Sequence, residues 1–74
     1  MEKELLQKAV SDVKEMISPD GFEKAFWIIC KYLQTRKEAY EMTELEYIRR
    51  YGAGTKYSSY KSFRETKNRR SKTN

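Results

Sequence analysis

The sequence contains no histidine. The most frequent general base and metal ligand of proteins is therefore missing. A single cysteine, Cys30, cannot form a disulfide within the chain, which excludes a cross-linked scaffold. No apolar run approaches the ~20 residues needed to cross a bilayer, so no membrane association is expected. The opening residues, MEKELLQK, mix charges and lack a secretory hydrophobic stretch. A cytoplasmic, intracellular chain is expected. With 74 residues the chain holds one domain with a small core. No alternating strand pattern of useful length occurs.

Acid is scarce at one end. From Met1 to Ile48 there are 7 basic and 10 acidic residues; from Arg49 to Asn74 there are 9 basic residues and one acidic residue, Glu65. Tyr47, Tyr51, Tyr57, Tyr60 and Phe63 are threaded through the start of that basic half. Clustered cations interleaved with aromatics are the electrostatic footprint of nucleic-acid binding. The bland alternative is a solvated, solubilising tail. The near absence of acid and the presence of aromatics weigh against it.

Apolar spacing predicts helices throughout. Leu6, Ala9, Val10, Val13, Met16 and Ile17 recur at steps of three and four, which predicts an amphipathic helix over 2–17. Ser18 before Pro19 is a helix N-cap, and Asp20 with Glu23 is a competing capping box. A second helix then starts near 19–21, with Phe22, Phe26, Ile29 and Leu33 on its core face. It runs to about residue 41 or breaks near Thr35. Thr43 with Glu46 forms a further capping box ahead of Leu45 and Ile48, predicting a short third helix over 44–51. Gly52 and Gly54 follow it, and glycine suits a helix C-cap. Thr55 can cap a fourth segment, along which Tyr57, Tyr60 and Phe63 step by three. That spacing favours packing into the core over stacking on bases. From about Thr66 the chain is polar and basic, and disorder is expected.

Residues 43–65 join a capped helix, a glycine-containing turn and a segment of small polar, basic and aromatic side chains. This third of the chain resembles the helix-turn-helix family of DNA-binding modules, through Leu45 and Ile48 in the first helix and Gly52 at the turn. The resemblance implies that Lys56, Ser58, Ser59 and Lys61 face the major groove from a recognition helix. It departs from the family in the extra Gly54 and in offering Tyr57 or Ser58 where an aliphatic residue packs the second helix.

The expected fold is all-α, a small three- to four-helix bundle over 1–65 with a helix-turn-helix-like unit at about 43–65 and a basic tail over 66–74. The expected function is non-catalytic nucleic-acid binding, with DNA favoured over RNA, as in a DNA-binding regulator of a phage, plasmid or similar element. Phosphate contacts are expected from Arg49, Arg50, Lys56, Lys61, Arg64, Lys67, Arg69, Arg70 and Lys72. Tyr47, Tyr51 and Trp27 are candidates for stacking or for a protein partner, although burial is favoured for Trp27. Cys30 has no histidine to activate it, and its apolar neighbours should raise its pKa. Carboxylate pairs such as Glu44 with Glu46 read as helix caps and solvated faces. No cofactor and no metal are expected. The rival expectation is a small inhibitor or adaptor that blocks the nucleic-acid channel of a protein machine, such as a defence nuclease or polymerase. A homodimer fits either view.

Overall fold

A computed structural model describes residues 3–52 and 54–72, with side chains from Leu5 to Gly52 and from Gly54 to Arg69. Four helices follow in order: α1 (Lys3–Ala9), α2 (Pro19–Cys30), α3 (Arg36–Tyr51) and α4 (Tyr60–Lys72). No strand occurs among the described residues. The chain is all-α, as its periodicity predicts.

Helix α1 is shorter than the predicted span of 2–17. It gives way after Ala9 to tight turns, with Ser11 N donating to Lys8 O at 3.2 Å and Val13 N to Val10 O at 2.9 Å. The Ser11 hydroxyl donates to Lys8 O at 2.8 Å, offering the backbone an alternative to continued helix. The apolar spacing is nevertheless used: Leu6, Val10, Val13 and Met16 are all buried. Ile17, expected on the same face, is 55% exposed because the helix has already ended.

Helix α2 starts where Ser18 and Pro19 place it. Ser18 Oγ accepts from Gly21 N at 3.1 Å, and Pro19 occupies the first turn, where a missing N–H costs nothing. Gly21 passes so close to the preceding segment that a Cβ there would lie 1.6 Å from Glu15 O. The helix buries Phe22, Ala25, Phe26 and Ile29, at helical steps of three and four. It ends at Cys30, so the break near Thr35 is the alternative the chain takes.

Helix α3 corrects the predicted third helix. The pattern Thr-x-x-Glu occurs twice, at 35–38 and at 43–46. The first is the cap: Thr35 Oγ1 accepts from Glu38 N at 3.1 Å and donates to Glu38 Oε1 at 3.0 Å. Thr43 lies mid-helix, fully buried, and its hydroxyl donates back to Ala39 O at 2.7 Å. The longer helix is turned so that Ala39, Tyr40, Thr43, Glu44 and Glu46 face inward. Leu45 and Ile48 are therefore left on its outer side, 48% and 36% exposed. Gly52 ends the helix in the left-handed region at φ 69°, with its N–H donating to Ile48 O at 2.8 Å.

Helix α4 starts at Tyr60, and Ser59 is its cap in place of Thr55. Ser59 Oγ accepts from Ser62 N at 3.2 Å, and Ser59 O from Phe63 N at 3.1 Å. The Thr55 hydroxyl instead donates to Tyr57 O at 2.8 Å. Backbone helix continues to Lys72, through most of the stretch expected to be disordered; Thr73 and Asn74 lie outside the described residues. Phe63 anchors the helix. Its ring lies 4.8 Å from that of Phe26, 5.3 Å from those of Tyr40 and Tyr57, and 5.4 Å from that of Phe22. As their spacing predicts, Tyr57, Tyr60 and Phe63 are part of the core or packed against it.

Candidate nucleic-acid interface

The cations of the basic half fall into two groups. The first group turns inward. Arg50 Nε donates to Glu46 Oε2 at 2.7 Å, while its Nη2 donates to Val10 O at 3.0 Å and its Nη1 to Val13 O. Its guanidinium thereby holds carbonyls that the early end of α1 leaves without helical partners. Arg49 forms the other half of the cluster, with Nε 2.9 Å from Glu46 Oε1 and Nη2 2.6 Å from Oε2. Burial alone would raise the Glu46 carboxyl, but the hydrogen bonds and charges of Arg49 and Arg50 outweigh it and hold the group below its ordinary range. Lys56 Nζ donates to Ile17 O, and Tyr51 Oη accepts from Met16 N at 3.0 Å. Arg50, Tyr51 and Lys56, expected to face a ligand, instead satisfy the backbone of the irregular 10–17 segment.

The loop that carries Lys56 is held by a carboxylate the sequence does not betray. Glu44 is buried and accepts from Lys56 N at 2.8 Å, Tyr57 N at 2.9 Å and the Tyr40 hydroxyl at 2.6 Å. Glu44 and Glu46 are thus interior organisers, which corrects their assignment to solvated faces. Burial and the neighbouring Glu44 carboxylate push the Tyr40 and Tyr57 phenols upward. Nothing in the local pattern of α3 distinguishes Glu44 from a surface acid; its role depends on a loop twelve residues away.

The second group of cations faces outward on α4. Lys61, Arg64 and Arg69 are exposed, and so is Asn68. Helical spacing places Lys61 and Asn68 on the face opposite Phe63 and Arg64 on its flank. Ser58 and Ser59 are exposed just ahead of the helix. Lys56, Ser58 and Ser59 therefore precede the helix they were expected to lie on. Lys67 is half-buried, and the side chains of Arg70 and Lys72 lie outside the described residues.

Trp27 lies beside Lys67, on the Phe63 side of α4, and is 38% exposed, against the expectation of burial. Its Nε1 donates to Glu23 Oε2 at 3.1 Å. The guanidinium of Arg36 lies 5.4 Å from the ring centroid and the ammonium of Lys67 5.3 Å, both within cation–π range. Arg36 was not singled out in the sequence, since only folding brings α3's first residue to α2. The Tyr47 and Tyr51 rings pack against each other tilted by 53° with centroids 4.9 Å apart, and Tyr47 packs edge-on to Phe22 at 6.0 Å. Neither is a free platform. Burial pushes the Cys30 thiol up, opposed in part by Arg36 and Lys67.

Among the described residues no group of three or more Cys, Asp or Glu is placed to hold a metal ion, and no helix is long and apolar enough to cross a membrane. The chain matches no protein-family model, and comparison with curated proteins and with solved structures gives no match.

Proposed function

We propose that the chain is a small non-catalytic nucleic-acid-binding protein, and that duplex DNA is its ligand. A DNA-binding regulator of a phage, plasmid or similar element is the role that fits. The observation that carries this reading is α4: six basic residues and one acidic residue in thirteen, with Phe63 fixing one face, Lys61 and Asn68 on the opposite one and Arg64 on the flank. A thirteen-residue helix is about 20 Å long and fits a major groove about 12 Å wide. Lys61, Arg64 and Arg69 bind phosphates in this reading, Ser58 supplements them, and Asn68 reaches a base edge. Arg50 and Lys56 are left out, because their donors hold the 10–17 segment. In the helix-turn-helix version of this reading α3 and α4 form the pair. The connection from Gly52 to Ser59 is longer than the three to four residues usual for that motif.

If Lys61, Arg64 and Arg69 each neutralise one phosphate, log K falls with log salt with a slope of roughly −3. The test is a titration of the chain against duplex DNA, single-stranded DNA and RNA at two salt concentrations. Duplex preference with that slope is expected, and Lys61→Ala with Arg64→Ala should weaken binding to all sequences alike. Asn68→Ala should change sequence preference instead. Absence of binding at low salt overturns the reading and turns attention to an inhibitor that uses the same cations on a protein machine.

A further inference from the structure

Trp27 stands where three helices meet, and two cations converge on it from outside its own helix. Arg36, the first residue of α3, and Lys67, in the middle of α4, lie 5.4 and 5.3 Å from the indole centroid. Among the described residues neither cation has an ion-pair partner. The indole itself is held in place: Glu23 Oε2 accepts from its Nε1 at 3.1 Å, and the buried Phe26 ring backs it at 5.0 Å. It is nevertheless 38% exposed. A fixed, open aromatic ring beside two cations is the composition of a subsite for single-stranded nucleic acid. We propose that Trp27, Arg36 and Lys67 bind one unpaired nucleotide, its base stacked on the indole and its phosphate held by the two cations.

The arrangement selects a nucleotide over an apolar partner. Positive charge and acid are separated along α2. Glu23 lies one turn before Trp27, whereas both cations act on the thiol of Cys30, three residues after it, and oppose the upward push of burial there. A phosphate on the Cys30 side of the indole therefore meets Arg36 and Lys67 and not Glu23. The two cations now rest against the ring. A base gains more from an indole than an exposed cation does, so it can take their place and leave both free for its own phosphate. An apolar surface would instead bury the two cations without a counter-charge. The subsite is also distinct from the outer face of α4. At about 100° per residue, Lys67 lies about 100–120° around the helix from Asn68 and Lys61. A duplex held on those residues leaves Trp27 uncovered, and a strand that runs past the end of the duplex can turn onto it.

The subsite rests on the nucleic-acid reading of the chain, and three probes keep the two apart: a blunt duplex, the same duplex with a short thymine overhang, and a thymine single strand. The overhang duplex should bind about five- to tenfold more tightly than the blunt one. It should also quench the emission of Trp27, the sole tryptophan, where the blunt duplex does not. Trp27→Ala should abolish the gain in affinity. Arg36→Ala keeps the fluorophore and leaves Thr35 as the cap of α3. It should cut the gain to about twofold and leave blunt-duplex affinity unchanged. If the blunt and overhang duplexes bind equally and neither quenches, the subsite is overturned and the reading of α4 stands. If the single strand binds with quenching and the blunt duplex does not bind, the subsite stands and the duplex reading falls. If no probe binds at low salt, both fall, and Trp27 is left to a protein partner.

Discussion

Residues 10–17 lack regular helix, yet Val10, Val13 and Met16 are among the most deeply buried side chains of the molecule. Helix α4 is regular over thirteen residues, yet Phe63 alone among its described side chains is buried. The first region is tied down by side chains from elsewhere: Arg50, Tyr51 and Lys56 bond its carbonyls and an amide. The second bonds its own backbone and is attached by the buried Phe63, with Tyr60 beside Tyr40. Regularity and integration are thus separate properties. They also govern what charge is for. Cations next to an irregular segment are drawn in to satisfy it, while cations on a self-sufficient helix remain available to a ligand.

The comparison can be broken most severely at Phe63. Phe63→Ala should cost about 3–5 kcal/mol, comparable with the whole stability of a chain this short, roughly 4–11 kcal/mol. Denaturant unfolding checks this, and amide exchange should show α4 losing protection before α2 does. Arg50→Ala comes next, at about 3 kcal/mol, because it takes one of two guanidinium partners from the buried Glu46 and removes the side-chain donor that ties the Val10 and Val13 carbonyls to α3. Arg49→Ala, on the exposed side of the same acid, should cost less than about 1 kcal/mol. Equal losses for the two would mean that Arg50 does not hold the 10–17 segment.

Acid sharpens the same contrast. The folded Glu46 carboxyl is held below its ordinary value near 4.5. Its contribution is therefore complete above that value. It is lost as pH falls further, because the unfolded chain takes up the proton first. The thermal midpoint should drop below about pH 4.5, and Glu46→Gln should flatten that drop. The smallest effect on stability belongs to the outer face of α4. Lys61→Ala, Arg64→Ala and Arg69→Ala should each change stability by less than about 0.5 kcal/mol. Larger losses would show that these cations serve the fold.

What could be read from the sequence follows the range of each interaction. Ser18 with Pro19 and Gly52 act within a turn of their own positions, and both ends lie where those residues put them. The two Thr-x-x-Glu pairs are locally equivalent, so the choice of Thr35 over Thr43 rests on which start lets Ala39 and Tyr40 pack on α2. Starting α3 at Thr35 leaves Leu45 and Ile48 on its outer side. Val10, Val13 and Met16 share a buried face as their spacing predicts, although the helix predicted for them stops at Ala9, since burial followed spacing even where hydrogen bonding did not. The outward basic face of α4 was visible as composition. Which of its cations were already engaged was not, because Arg50 reaches back to Val10 and Lys56 to Ile17 across most of the chain.

The position of Trp27 has a practical consequence. It is the sole tryptophan, it sits on α2, and its ring is flanked by Arg36 at the start of α3 and Lys67 in the middle of α4. Three helices thus converge on one natural fluorophore. Release of α4 removes a cation from beside the indole while α2 and α3 stay in place; global unfolding removes both cations and the Phe26 ring as well. Emission from the unlabelled protein should therefore pass through two distinguishable changes if α4 detaches first, and through one if the chain unfolds as a unit.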